Sequence, residues 1–138
     1  MDRLRRVAAA GSMAIVLATI ASLASTACGP TCSGAERVYA GGDQTTTQSE
    51  KIWESSPPAG PYLPYEGGAL YHFQHHLGAM PTNVQIWLSF SETPENQGGG
   101  GTPAAGNQAL VLGQNADEVQ IRNDTCSSFW IRVVVTAP

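Results

Sequence analysis

Three histidines, His72, His75 and His76, sit together in one short stretch of this 138-residue chain. Imidazoles grouped in this way are the usual ligands of zinc or copper, and they are also the side chains whose charge changes near neutral pH. On an extended strand His72 and His76 would lie roughly 13 Å apart, too far to share a metal unless the chain bends at His75. A plainer assignment competes with the metal centre: His75 hydrogen-bonds the backbone of a turn and the other two lie at the surface. The second group is aromatic: Trp53, Tyr62, Tyr65, Tyr71, Trp87 and Trp130. Such rings have a broad apolar face and a polar tip, so an exposed set forms a stacking platform suited to sugars. Trp87 and Trp130 lead this group, with Tyr62 and Tyr65 as loop partners; the competing reading is that a loop covers the indoles. The carboxylates do not suggest catalysis. Glu92 with Glu95, and Asp117 with Glu118, fall in or beside expected loops, whereas a catalytic pair must be opposed across a cleft. There is no G-x-S-x-G elbow and no H-E-x-x-H, and the glycine run at 98–101 lacks the Lys and Ser/Thr of a phosphate loop. We therefore expect no catalytic residues, no cofactor and no enzymatic activity.

The elements that must position these residues are short strands. Beyond residue 27 no window sustains the i, i+3, i+4, i+7 apolar spacing of a helix, and Pro and Gly recur throughout. Strands are expected at residues 36–40, 69–75, 83–90, 109–112, 118–123 and 129–136, with a polar edge strand over 45–53. In 69–75, Tyr71, Phe73 and His75 share one face. In 83–90, Val84, Ile86, Leu88 and Phe90 point inward while Trp87 points outward. Val119 and Ile121, then Phe129, Ile131, Val133 and Val135, complete the expected core, and Trp130 falls on the outward phase. Residues 55–68 form a loop stiffened by Pro57, Pro58, Pro61 and Pro64. About six or seven short strands without a helix imply an all-β fold, a small antiparallel β-sandwich.

The N-terminus has a different character. Arg3, Arg5 and Arg6 precede an uncharged run over residues 7–23, which ends in Ala24, Ser25, Thr26 and Ala27. Cationic, apolar and small residues in that order are the layout of a secretory signal. We expect residues 1–27 to be removed on export, residues 28–35 to act as a tether, and residues 36–138 to form one domain in the cell envelope, outside the cytoplasm. The junction Ser25-Thr26-Ala27-Cys28 resembles the lipobox of bacterial lipoproteins. That resemblance implies an acylated Cys28 holding the protein to a membrane; simple secretion is the alternative. If Cys28 carries lipid, Cys32 and Cys126 remain as a disulfide pair in an oxidising compartment. A Cys28–Cys32 bridge with Cys126 free, or metal binding, are the other arrangements.

Charge narrows the partners. The chain carries a formal net charge of −4, and beyond residue 27 its basic side chains are Arg37, Lys51, Arg122 and Arg132. No basic stripe exists to track a phosphate backbone, so no nucleic-acid partner is expected. Membrane attachment must then come from the lipid rather than from headgroup attraction.

His75-His76-Leu77-Gly78-Ala79-Met80-Pro81, followed by a strand, resembles the H-x-L-G-x-x-P turn of small β-sandwich modules in phage tail and fibre proteins. The later strings Val119-Gln120-Ile121-Arg122-Asn123-Asp124-Thr125 and Phe129-Trp130-Ile131-Arg132-Val133 resemble the strand pair that closes those modules. The resemblance spans roughly residues 69–136 and implies a sandwich used structurally or for surface binding. In physical terms, Gly78 supplies turn freedom, Pro81 stiffens the strand entry, and Leu77 plugs the end of the sandwich. Three functions follow as expectations: a non-enzymatic surface protein with a structural or interaction role, a carbohydrate-binding module using Trp87 and Trp130 with Tyr62 and Tyr65, or a metal binder using His72, His75 and His76.

Overall fold

Alternating apolar residues have one way to leave water when strands are short, which is to face a second sheet. The computed structural model describes residues 32–94 and 101–138. The signal segment, Cys28, Glu95 and most of the glycine run lie outside the described residues. The strands are β1 (Glu36–Tyr39), β2 (Asp43–Thr46), β3 (Lys51–Glu54), β4 (Leu63–Tyr65), β5 (Leu70–Gln74), β6 (Asn83–Ser89), β7 (Thr102–Pro103), β8 (Leu110–Gln114), β9 (Glu118–Arg122) and β10 (Phe129–Ala137). One sheet has the order β1-β5-β9-β8; the other has β2-β3-β10-β6-β7, with β4 also paired to β10. All pairings are antiparallel except β1 with β5. The fold is therefore a small β-sandwich, as the alternation requires, with short extra strands at its edges.

The core lies between the sheets. Tyr71, Phe73, Val119 and Ile121 enter from the first sheet; Trp53, Tyr65, Leu88, Ile131, Val133 and Val135 enter from the second. β10 is the organising strand. Its odd-numbered residues from Phe129 to Val135 are buried, and it pairs with β6 along one side and with β3 and β4 along the other.

Two expectations change. Residues 45–53 are not one polar edge strand but the hairpin β2–β3. Thr47 turns it: its N–H donates to the Glu50 carbonyl at 2.8 Å, and its hydroxyl accepts the Glu50 N–H at 3.1 Å. That turn brings Trp53 into the core at 2% exposure. Phe90 does not face inward. β6 ends at Ser89, whose hydroxyl accepts the Ser91 N–H at 3.0 Å, and Phe90 is left 84% exposed beside the Phe129 ring.

Cys32 and Cys126 are disulfide-bonded, with Cα atoms 5.3 Å apart. The bridge holds the entry segment against Gly67 and Gly68, which run between the two cysteines. A side chain at Gly68 would overlap the Cys32 carbonyl, and Gly68 has φ +76°. Its N–H donates to the Asn123 carbonyl at 2.9 Å, and its carbonyl accepts the Gly34 N–H at 3.0 Å. Asn123 is itself fully buried, donating to the Ser127 carbonyl at 2.8 Å and accepting the Thr125 hydroxyl at 2.6 Å. Gly68→Ala should therefore lower stability by at least about 1–3 kcal/mol, the cost of a left-handed non-glycine residue, before steric overlap is added. A urea unfolding midpoint unchanged from wild type would show that the segment shifts freely.

Candidate functional site

Strand alternation sends the even residues of β10 and the odd residues of β6 to the outer face of the second sheet. Trp130 is aligned with Ser89 of β6 on one side and Pro64 of β4 on the other; Arg132 is aligned with Trp87, and Trp87 with Pro103 of β7. These registers set Pro64 opposite Trp130 and Pro103 opposite Trp87, with the two indoles diagonal to each other across β10 and β6, a band over four strands. Diagonal neighbours on adjacent strands lie about 7–8 Å apart, within reach of aromatic side chains. Both indoles are half-buried and both prolines are exposed. Both indoles keep partial solvent access, so the band offers some apolar surface to solvent.

Arg132 gives the band a polar border. It is only 8% exposed. Its Nε donates to the Ser56 carbonyl at 3.0 Å, and its Nη2 donates to Glu54 Oε2 at 2.9 Å. Ser55 completes the joint: its hydroxyl accepts the Val133 N–H at 2.9 Å. The start of the proline-rich loop is thereby fastened to the centre of the sheet, at the arginine aligned with Trp87. The Glu54 carboxylate is about one-third exposed on its side chain, so a buried charge meets a wetter one. Such a pair positions groups more than it stabilises the fold. Next to Trp87 a cleft of ≈ 410 Å³ opens at the edge of β6, bounded by Val84, Gln85, Ile86, Ala104 and Ala109. The Trp87 Nε1 is buried with no hydrogen-bond partner among the described residues.

The other aromatic candidates are placed elsewhere. Tyr62 is 4% exposed, packed against Gly101 just before β7, and Tyr65 is fully buried, so neither presents an open ring to solvent. β4 pairs with β10 through Tyr65 opposite Phe129, which turns the tyrosine into the core. Burial, with the neighbouring Tyr71, pushes the Tyr65 phenol well above its ordinary range. Tyr71 is also a core residue, its hydroxyl accepting the Glu66 N–H at 2.9 Å.

The three histidines do not converge. His72 lies on the outer face of the first sheet, its Nδ1 3.4 Å from Glu118 Oε1. The same carboxylate oxygen accepts Gln120 Nε2 at 2.7 Å, and this bond more than His72 holds Glu118 below the usual carboxylate range. His75 points the other way, fully buried, with Nδ1 accepting the Leu77 N–H at 3.2 Å. That bond fixes the proton on Nε2. Burial pushes the His75 imidazole below its ordinary value, while backbone carbonyls and Asp117 pull it back in part. His76 is exposed with φ +49°, its Nδ1 3.9 Å from Asp117 Oδ1. Among the described residues no group of three or more His, Cys, Asp or Glu side chains is placed to hold a metal ion. Asp117 and Glu118 follow an Asn turn, both N–H groups donating to Asn115 Oδ1 at 2.8 and 2.9 Å.

Sequence reasoning missed Arg132, Glu54 and Ser56 as a unit. A lone arginine inside an otherwise apolar strand was the available signal, because a buried guanidinium must find a carboxylate or carbonyls. Pro64 and Pro103 were missed because their place in the band depends on register, which only the paired strands reveal. Comparison with protein-family models, with curated proteins and with solved structures gives no match.

Proposed function

We propose that this chain is an exported, lipid-anchored, non-enzymatic binding module that engages carbohydrate through the outer face of its second sheet. The observation that carries this reading is the register that sets Pro64, Trp130, Trp87 and Pro103 in one band across four strands beside Arg132 and Glu54. A sugar ring has an apolar face and an edge of hydroxyls. The indoles suit the first, and the part-exposed Glu54 carboxylate, held in place by the buried Arg132, suits the second. Support for export comes from the residue order over 1–27, and support for the anchor from Cys28 at its end.

Glycan-array binding by wild type, Trp87→Ala and Trp130→Ala proteins is the direct test. Each substitution should weaken binding roughly tenfold or more, the cost of removing a central aromatic anchor, while leaving the thermal transition within a few degrees. Absence of any glycan signal, or binding indifferent to both substitutions, overturns the carbohydrate reading. Intact mass of membrane-extracted protein reads the anchor separately, since acylation at Cys28 adds hydrocarbon mass that simple secretion does not.

A second reading, structural assembly at the surface, is favoured by one feature. β8 is the outer strand of the first sheet, and Leu110, Val111 and Leu112 on it are 38%, 44% and 52% exposed. Apolar edge strands invite pairing with another chain. Concentration-dependent oligomers by light scattering, abolished by Leu112→Lys, would favour this role over glycan binding.

A further inference from the structure

The turn over residues 75–81 joins parts of both sheets. The His75 carbonyl accepts Gln44 Nε2 from β2 at 2.6 Å, and the Leu77 carbonyl accepts Lys51 Nζ from β3 at 3.0 Å. On the other side, the N–H groups of His75 and His76 donate to the Asp117 carbonyl at 2.8 and 3.0 Å, and the Gly78 N–H donates to the Ala116 carbonyl at 2.9 Å. One short segment therefore ties the β2–β3 hairpin of the second sheet to the β8–β9 turn of the first. Inside it stands a single buried imidazole.

We propose that His75 is an acid-sensitive clasp, whose protonation releases the 75–81 turn and opens this end of the sandwich. The geometry leaves little alternative once a second proton arrives. His75 Nδ1 is an acceptor only while neutral. Protonated, it presents a donor to the Leu77 N–H, and the contact that closes the turn becomes a donor facing a donor. Nε2 is buried and has no hydrogen-bond partner among the described residues, and the Asn115 and Glu118 backbone carbonyls offset only part of the burial cost of the added charge. The Trp53 ring centroid lies 6.4 Å away, and the site is fully buried. Burying an uncompensated cation is costly, and the cheaper response is to let water in.

Charged groups on the packed elements offset the burial only in part: Asp117 favours the protonated ring, His76 disfavours it, and burial outweighs both. On the first sheet, Asp117 is beside His76, and Glu118 is held by Gln120 and His72. On β2 and β3, Lys51 adds a like charge, Asp43 belongs to exposed β2, and Glu54 is turned to Arg132 on the outer face. The sign follows from the lowered folded-state value. His75 contributes stability that is fully present above its ordinary value of 6.5 and is lost as pH falls below it, through the lowered folded-state value. This device is independent of what the aromatic band binds.

Amide hydrogen exchange on the purified protein tests it, with rates corrected for intrinsic pH dependence. Between pH 7.5 and 5.0, protection of the Leu77 and Gly78 amides should fall at least tenfold relative to core amides such as Ile121. In His75→Asn, whose Oδ1 can accept the Leu77 N–H without titrating, that fall should vanish; in His76→Asn it should persist. Loss of protection that is equal across the core, that survives in His75→Asn, or that never occurs overturns the proposal. Should His75→Asn not fold, NMR titration of the wild-type imidazole decides the matter. Loosening of the turn must coincide with His75 protonation, and a mismatch between the two midpoints rejects the clasp.

Discussion

Opening the Cys32–Cys126 bridge should lower the thermal midpoint by roughly 10–20 °C. The bond spans a sequence separation of 94, nearly the whole described domain. Constraining so long a loop removes entropy from the unfolded chain worth about 4–5 kcal/mol in the chain-entropy model, and losses on removing native disulfides typically run at about 2–5 kcal/mol. For a domain of this size each kcal/mol moves the midpoint by about 4 °C. A small domain is exposed to such a loss, because it buries only about two-thirds of its unfolded surface. Local packing points the same way. Without the bridge the entry segment is held by Gly34 against Gly68 and by the parallel pairing of β1 with β5. Exposed Val38 and the surface ion pair of Arg37 with Glu66 add little, since that pair is about half exposed on both sides. Calorimetry with and without reductant, alongside the Cys32→Ser/Cys126→Ser double variant, measures the effect. A shift below about 4 °C in both would mean that the N-terminal segment contributes almost nothing to folding.

The parts of this fold that were legible in the sequence are those where one face is buried and the other is wet. β9 alternates strictly and β10 does so apart from Arg132, and their inward residues Val119, Ile121, Ile131, Val133 and Val135 are all fully buried. The same logic placed Tyr71, Phe73 and His75 on one face of the strand that contains β5. The cysteine pair was legible only through the assumption that Cys28 is taken by lipid. What could not be read depended on pairing. Which strand lies beside β10 is decided over long separations, so the neighbours of Trp130 and Trp87 were invisible until Pro64 and Pro103 were aligned with them. Tyr65 departs from its expected loop position for a related reason. A proline-rich segment reads as a solvated loop, yet Leu63–Tyr65 pairs with β10 and carries its tyrosine inward. Phe90 failed at a boundary, where a serine turn ended the strand one residue early. Boundaries are where alternation carries least information, because one residue reverses the face.

Trp53 separates these two kinds of inference by a measurable amount. Were it on an exposed edge strand, Trp53→Ala would change stability by no more than about 0.5 kcal/mol, as surface substitutions do. In the hairpin it is 2% exposed, with its ring centroid 6.3 Å from Phe73 and 6.4 Å from His75. Truncating a buried tryptophan costs about 3–5 kcal/mol, because the cavity collapses only in part. Collapse is restricted here. The backbone opposite the indole is Gly42, at φ +116°, where a Cβ would meet both the Trp53 ring and the Glu54 carbonyl. That glycine exists to let β2 pass close over the ring, and it brings no side chain to fill a vacancy. Trp53→Ala should therefore lower the urea midpoint far more than Trp130→Ala, whose ring is half-buried on the outer face. It should also weaken the pH dependence at His75, since water admitted beside the imidazole reduces the burial that disfavours its charged form. Both readouts come from one variant, and they are coupled through one contact. If stability fell as expected while the imidazole titrated unchanged, Trp53 would be a packing residue alone, and the dryness of the clasp would have to come from Leu77.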